Sequence, residues 1–134
     1  VSGSSDPSTI DKFSFSSDGN ATNVGSLASN TLLSAGQSSS ENGYSSGGSI
    51  SGSYANAIQK FPFASDGTAT DVGDLTLSRQ HLAGQSSTAS GYSSGGDEGP
   101  NQNIIDKFPF ASDGNATDVG DLTVSRAYLS GTQY

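Results

Sequence analysis

One phrase recurs three times along this chain, and this repetition constrains the fold more than any other feature. The phrase Lys-Phe-Pro-Phe-Ala-Ser-Asp-Gly, or a close variant of it, begins at Lys12, Lys60 and Lys107, so the copies lie 48 and 47 residues apart. A fixed period of this length indicates a repeat architecture, in which neighbouring units stack to bury a shared core. We therefore expect a single repeat domain over residues 1–134, with units at approximately 1–48, 49–96 and 97–134, the last one incomplete.

The composition limits the chemistry and the partners of the protein. The net charge is −8 and the five Lys and Arg residues form no basic patch, which disfavours nucleic acid as a partner. No run approaches the roughly 20 apolar residues of a membrane-spanning helix, so no membrane insertion is expected. His81 is the only His and there is no Cys, so these side chains cannot build a zinc site. We predict a protein that is not an enzyme and has no required cofactor.

The repeated phrase has the pattern of a β-strand followed by a tight turn. Phe61 and Phe63 are two residues apart, which is the spacing of side chains on one face of a strand. Pro62 lacks the N–H that a sheet ladder needs, so we expect this strand to lie at an edge or to be bulged. The pair Asp66-Gly67 indicates a hairpin turn. With the Ala-Gly-Gln-Ser-Ser and Gly-Tyr-Ser-Ser-Gly-Gly segments as further strands, the sequence predicts an all-β protein of tandem four-stranded antiparallel units.

Several segments in the second half of the chain resemble kelch-type β-propeller repeats. Gly91-Tyr92 to Gly95-Gly96 is similar to the kelch strand that ends in Gly-Gly, and residues 105–110 with Asp113-Gly114 are similar to the next strand and its hairpin. Residues 119–126 resemble the last strand and the basic residue after it. The resemblance implies kelch-like propeller blades. A β-solenoid or stacked fibre and a β-trefoil are the alternatives that the repeat length leaves open.

The repeat is also similar to tandem repeats in structural and appendage proteins of aquatic bacteria and their phages, cyanophages included. This second resemblance implies a structural or adhesive role in an appendage such as a phage tail fibre. It also implies a location that is extracellular or on the virion surface.

The turn after each repeated phrase is a candidate calcium site. Calcium takes six to eight oxygen ligands, and alternating oxygen side chains in a Gly-containing loop can supply them. The same residue types also stabilise turns by binding their own backbone, which is the competing interpretation. The candidate ligands are Asp113, Asn115, Thr117, Asp118 and Asp121 in the third copy, with Asp66, Asp71 and Asp74 in the second.

Two further sets of residues are singled out by the repeat. Asn20 and Asn115 each begin an Asn-Ala-Thr sequon and are candidates for glycosylation. The aromatic residues are expected in the core or at an interface between units, because they are most of the bulky apolar material of the chain. They are Phe13, Phe15, Phe61, Phe63, Phe108, Phe110, Tyr44 and Tyr92.

The incomplete third unit bears on the function. The segment Gly-Tyr-Ser-Ser-Gly-Gly occurs twice, at Gly43 and Gly91, whereas the phrase beginning with Lys occurs three times. Because a unit cannot bury its own face, we expect the chain to assemble with other copies as a homo-oligomer or filament. The leading function hypothesis is a non-catalytic structural or adhesive repeat protein. The alternative is a lectin-like module that binds cell-surface glycan through repeated weak sites.

Overall fold

The computed structural model describes residues 8–132, and within this range the regular structure consists of strands. The all-β prediction is confirmed. Most of the strands are short, with four to six residues in the longer ones. In chain order they are β1 (Thr9–Lys12), β2 (Thr22–Ser26), β3 (Thr31–Leu32), β4 (Ala35–Ser38), β5 (Asn42–Ser46), β6 (Ser49–Ile50), β7 (Ser53–Tyr54), β8 (Ala57–Pro62), β9 (Gly67–Thr68), β10 (Thr70–Asp74), β11 (Ala83–Ser86), β12 (Ser90–Ser94), β13 (Ile104–Pro109) and β14 (Thr117–Asp121).

These strands form four small sheets, none of which closes on itself within residues 8–132. Sheet 1 has the order β1-β2-β9, sheet 2 the order β10-β8-β5-β4, and sheet 3 the order β11-β12-β13-β14. A corner sheet of six residues has the order β3-β6-β7. The kelch-like propeller stays a prediction.

Sheets 2 and 3 are built from matching segments of the sequence. Each is an antiparallel meander of a strand with the sequence Ala-Gly-Gln-Ser, a Gly-Tyr-Ser-Ser strand, a Lys-Phe-Pro strand and a Thr-Asp-Val-Gly-Asp strand. Sheet 2 therefore spans residues 35–74 and crosses the expected unit boundary at residue 48. In sheet 1, strands β1 and β2 correspond to the last two of these four strands.

The Lys-Phe-Pro strands are neither at an edge nor bulged at the proline, so that expectation is wrong. Strand β8 lies between β5 and β10, and β13 lies between β12 and β14. Pro62 is tolerated because the N–H groups of alternate residues face opposite neighbours, and that of Phe63 binds the Glu41 carbonyl on the β5 side. The nitrogen of Pro62 therefore faces the β10 side, beyond the last pair of that ladder, which joins Thr70 to Lys60. The missing donor leaves no ladder bond unmade.

Neighbouring sheets pack face to face at two separate places, and glycine allows the close approach at both. A Cβ added to Gly84 of β11 would lie 2.1 Å from the carbonyl oxygen of Gly36 in β4. A Cβ added to Gly73 of β10 would lie 2.2 Å from the carbonyl oxygen of Gly114, in the hairpin of sheet 3. Because the first and the last strands of sheet 2 both touch sheet 3 through backbone, side chains between them must fill a narrow gap.

Backbone hydrogen bonds also join three turns that occupy equivalent positions in the repeats. The N–H of His81 donates to the carbonyl of Leu33, and the N–H of Tyr128 donates to the carbonyl of His81, each at 3.0 Å. All three residues have a left-handed backbone conformation, with φ of 60°, 56° and 60° in chain order. This conformation is uncommon for residues with a side chain, so the same turn is imposed by the surrounding structure in every copy.

The Gly84 contact gives a test of the sheet packing, because Gly36 occupies the same strand position with open space around it. We expect Gly84→Ala to lower the free energy of unfolding by roughly 1–3 kcal/mol, the usual range for overpacking. The matched control Gly36→Ala should change it by less than about 1 kcal/mol. Urea denaturation of the two variants checks this, and equal effects would contradict the packing.

Candidate assembly interface

A fully buried ion pair lies where sheets 2 and 3 meet. Arg79 lies on the link between β10 and β11, residues 75–82. Its Nη1 atom lies 2.8 Å from Oδ2 of Asp106 on β13, and neither side chain is exposed. The same carboxylate accepts hydrogen bonds from the backbone N–H and the hydroxyl of Thr76, at 3.0 and 2.7 Å. Asp106 is thus bound by two residues of the link, although it belongs to the next sheet.

The remaining donors of Arg79 are also used. Nε donates to the Gly95 carbonyl at 2.8 Å, Nη2 to the Ser93 carbonyl at 3.1 Å, and Nη1 to the Leu77 carbonyl at 3.1 Å. A buried ion pair is tolerated only when its desolvated groups find such partners. Within residues 8–132, no buried side-chain nitrogen or oxygen lacks a hydrogen-bond partner.

A neutral version of this contact joins sheets 1 and 2. Gln59 takes the place of Asp106 and is 2% exposed. Its Oε1 accepts a hydrogen bond from the backbone N–H of Ala28 at 2.7 Å, and its Nε2 donates to the Thr31 hydroxyl at 2.9 Å. Ala28 and Thr31 hold the positions of Thr76 and Arg79 in the earlier copy. All of these positions change together, from an acid with a base to an amide with a hydroxyl.

Side-chain hydroxyls and one amide fill the gap between β4 and sheet 3. Gln37 of β4 donates through Nε2 to the Ser46 hydroxyl at 2.9 Å within its own sheet. The same nitrogen lies 2.9 Å from the Ser93 hydroxyl and 3.0 Å from the Tyr92 carbonyl in sheet 3. The hydroxyls of Ser46 and Ser93 are 2.7 Å apart, and both residues are fully buried. The interior of this interface is therefore polar and internally hydrogen-bonded.

Aromatic rings form the apolar part of the same interface. Tyr44 of β5 stacks on Phe110 with ring centroids 4.9 Å apart and meets Phe108 at 5.5 Å. Tyr44 and Phe108 are 4% and 2% exposed. Burial raises the pKa of the Tyr44 phenol above its usual value, and Lys60 and a hydrogen bond with Ser39 act in the opposite direction. The ring contacts agree with the expected interface role of these three aromatic residues.

Three of the predicted core aromatics lie at the surface instead. Phe13 is 60% exposed, Phe15 96% and Phe63 46%. Phe61 is half-buried and meets Phe63 edge to face. The cause is that Phe108 and Phe110 are covered by Tyr44 from the preceding sheet, whereas no tyrosine among residues 8–132 covers the earlier pairs. Within the single chain Phe13, Phe15 and Phe63 are therefore not in the core, and their expected position at an interface between units stays a prediction.

Four of the candidate calcium ligands bind backbone within turns or bind groups of the neighbouring sheet. Asp71 and Asp118 each accept a hydrogen bond from the backbone N–H two residues later, at 3.2 and 3.0 Å. The Asn115 side chain accepts from the backbone N–H of Asp74 at 3.0 Å, and Asp113 pairs with Lys60 of sheet 2. In the part of the chain between residues 8 and 132, no three His, Cys, Asp or Glu side chains are grouped to hold a metal ion. The turn-stabilising interpretation accounts for these contacts.

The remaining candidates lie outside the buried part of the interface. Asn20 and Asn115 are both exposed, as a glycosylated residue must be. Tyr92 is half-buried, with the Lys107 amine 6.0 Å from its ring centre. The Nδ1 atom of His81 lies 2.6 Å from Asp97, and its ring lies 3.9 Å from that of Tyr128.

Comparison of the chain with protein-family models and with curated proteins finds no match. Among residues 8–132 there is no helix long and apolar enough to cross a membrane. The interface described above is therefore the main guide to function.

Sequence reasoning missed the Arg79–Asp106 pair. A signal was present in the repeats. Where the link has Arg and Thr, the next Lys-Phe-Pro strand has Asp106, and where the link has Thr31 and Ala28, the next strand has Gln59. Matched changes of this kind mark side chains that meet across an interface.

The two versions of the contact supply a test of the buried pair. Arg79→Thr leaves Asp106 buried without its cation and should lower the free energy of unfolding by roughly 3–5 kcal/mol. The triple variant T76A/R79T/D106Q copies the neutral contact and should recover most of that loss. Urea denaturation measures both. A triple variant no more stable than R79T would show that the two contacts are not interchangeable.

Proposed function

We propose that this protein is a non-catalytic structural module of an extracellular or virion appendage, which assembles with other copies of itself. The observation that carries the proposal is the use of its buried polar groups. Arg79 and Asp106 are the buried charged residues of the described chain, and both are consumed in joining one sheet to the next. The buried charged groups of the described residues thus serve to hold one sheet against the next.

The stacking geometry favours a linear array over a propeller. Blades of a propeller diverge from a central axis, so their outer strands lie further apart than their inner strands. Here backbone contacts join the sheets at both the Gly36 side and the Gly114 side. This supports the solenoid or fibre alternative, in which each sheet packs on the next and every repeat contacts only its neighbours. The net negative charge, the Ser-rich and Gly-rich sequence and the resemblance to appendage repeats support the proposed location.

Assembly is tested with the purified chain. We expect light scattering to give a mass that rises with protein concentration and negative-stain images to show short rods or filaments of stacked units. Because each protein chain carries a net charge of −8, the measurements need roughly 0.15 M salt or more to screen the repulsion between chains. A compact monomer at every concentration, with no rods in the images, would count against the structural proposal.

A groove with aromatic walls favours glycan binding as a second candidate function. It lies between sheets 1 and 2, has a volume of about 380 Å³, and is lined by Phe13, Phe15, Phe61 and Phe63 together with polar side chains such as Asp66. Exposed rings next to polar groups suit the apolar face and the hydroxyls of a sugar.

The glycan hypothesis predicts binding that depends on the exposed rings. A glycan array should give positive sugars, and the double variant F15A/F63A should lose them, because both rings are exposed enough to be removed without unfolding the chain. The variant Glu98→Gln, at an exposed residue that does not line the groove, is the control. An array without signal, or binding that F15A/F63A retains, would remove this candidate.

A further inference from the structure

The two ends of the described stack present complementary halves of the buried contact between sheets. Arg126 and Thr123, on the link that follows β14, hold the positions of Arg79 and Thr76 and are both exposed. Asp11 on β1 holds the position of Asp106 and is exposed as well. No carboxylate pairs with Arg126, and no cation pairs with Asp11, within residues 8–132. Among the described residues, Arg126 and Asp11 are therefore an unpaired cation and an unpaired carboxylate of the kinds that form the buried pair.

The residues at the two ends match the charged contact between sheets 2 and 3 and not the neutral contact between sheets 1 and 2. The residues at the ends are an Arg with a Thr on one side and an Asp on the other, which is the charged set of Arg79, Thr76 and Asp106. If the ends formed the neutral contact instead, the link after β14 would carry Ala and Thr, as at Ala28 and Thr31. Strand β1 would then carry Gln, as at Gln59. Placing Arg126 against an amide would bury a cation without a carboxylate, which is costly.

The outer edge of the sheets repeats the same complementarity. Between sheets 1 and 2, the Ser26 and Thr68 hydroxyls lie 3.3 Å apart. Between sheets 2 and 3, the Asp74 backbone binds both the Asn115 side chain and the Ala116 N–H, at 3.0 and 2.8 Å. The Ala116 bond is common to both contacts, because the Ala69 N–H donates to the Ser26 carbonyl at 2.7 Å, whereas the Asn115 bond occurs only between sheets 2 and 3. At the ends of the stack the equivalent positions are Asp121 and Asn20, and Asn20 matches Asn115 and not Thr68.

The aromatic and glycine contacts point to the same register. Tyr92 corresponds to Tyr44, and Phe13 and Phe15 correspond to the rings that Tyr44 covers, yet both are exposed. A Cβ added to Gly120 has no atom within 4 Å, whereas its counterpart Gly73 packs on the next hairpin. Sheet 3 thus presents a face for β1 and β2 of a following unit.

We propose that the outer face of sheet 3 in one copy binds sheet 1 of a second copy head to tail, with Arg126 and Thr123 holding Asp11 of that second copy. The inference rests on the proposed structural function and specifies the surface and the register. Tyr92 then covers Phe13 and Phe15, and Asp121 meets Asn20, each across the junction. A head-to-tail contact uses two different surfaces, so it leaves a free face at each end and extends into a filament.

The neutral contact within the chain supplies the variants that test this register. Asp11→Gln and the double variant T123A/R126T each convert one side of the junction to the neutral set, and each should weaken self-association at least about tenfold. The combined variant D11Q/T123A/R126T makes both sides neutral, as at Ala28, Thr31 and Gln59, and should restore association. Glu98→Gln removes the same charge as D11Q at an exposed loop position and should associate like the wild type.

Sedimentation velocity over a concentration series, at roughly 0.15 M salt, measures all five proteins. Circular dichroism establishes that each variant is folded, which is expected because the four substituted residues are exposed. Loss in the two one-sided variants with recovery in the combined variant supports the junction. Wild-type assembly that neither one-sided variant weakens overturns the junction and leaves the structural function in place. A wild-type protein that is monomeric throughout overturns both.

Discussion

The buried pair of Arg79 and Asp106 is the interaction on which the stacking of sheets depends. Neither residue can be hydrated, because both are fully buried. The pair is therefore stable only while the link between β10 and β11, strand β12 and strand β13 hold every donor and acceptor in place. Removing one partner leaves an uncompensated charge in the interior. The pair therefore fixes the position of the link relative to the next sheet more strictly than apolar packing would, since apolar contacts are not directional.

Small and polar residues make this arrangement feasible in a chain with only 31% hydrophobic residues. Two sheets that approach through Gly36 and Gly84 leave little volume between them, so Ser46, Ser93 and Gln37 fill the gap better than large apolar side chains could. Their hydroxyl and amide groups are hydrogen-bonded to one another, which offsets the cost of burying them. A low apolar content thus indicates a narrow polar interface here and not a disordered chain.

The sequence allowed the strands, the hairpins and the interface role of Tyr44 and Phe108 to be predicted, because these follow from local spacing and from the repeat. The position of Pro62 in a central strand was not predictable from composition rules, since it depends on where the neighbouring ladder ends. The exposure of Phe13 and Phe15 depends on which sheet covers each ring, and this is a property of the stack and not of the strand. The partner of Arg79 depends likewise on the link reaching forward to the next sheet.

The difference between the charged and the neutral contact has a consequence for the order of the units. If every contact were identical, any sheet could pack on any other, and sheets of one chain could exchange places with those of another. The Thr31–Gln59 and Arg79–Asp106 pairs make such exchanges unfavourable, because a swapped pair would leave Arg79 against an amide or Asp106 against a hydroxyl. Near-identical repeats thus gain an order along the stack from a few buried residues, while the repeated backbone and aromatic contacts supply the common packing.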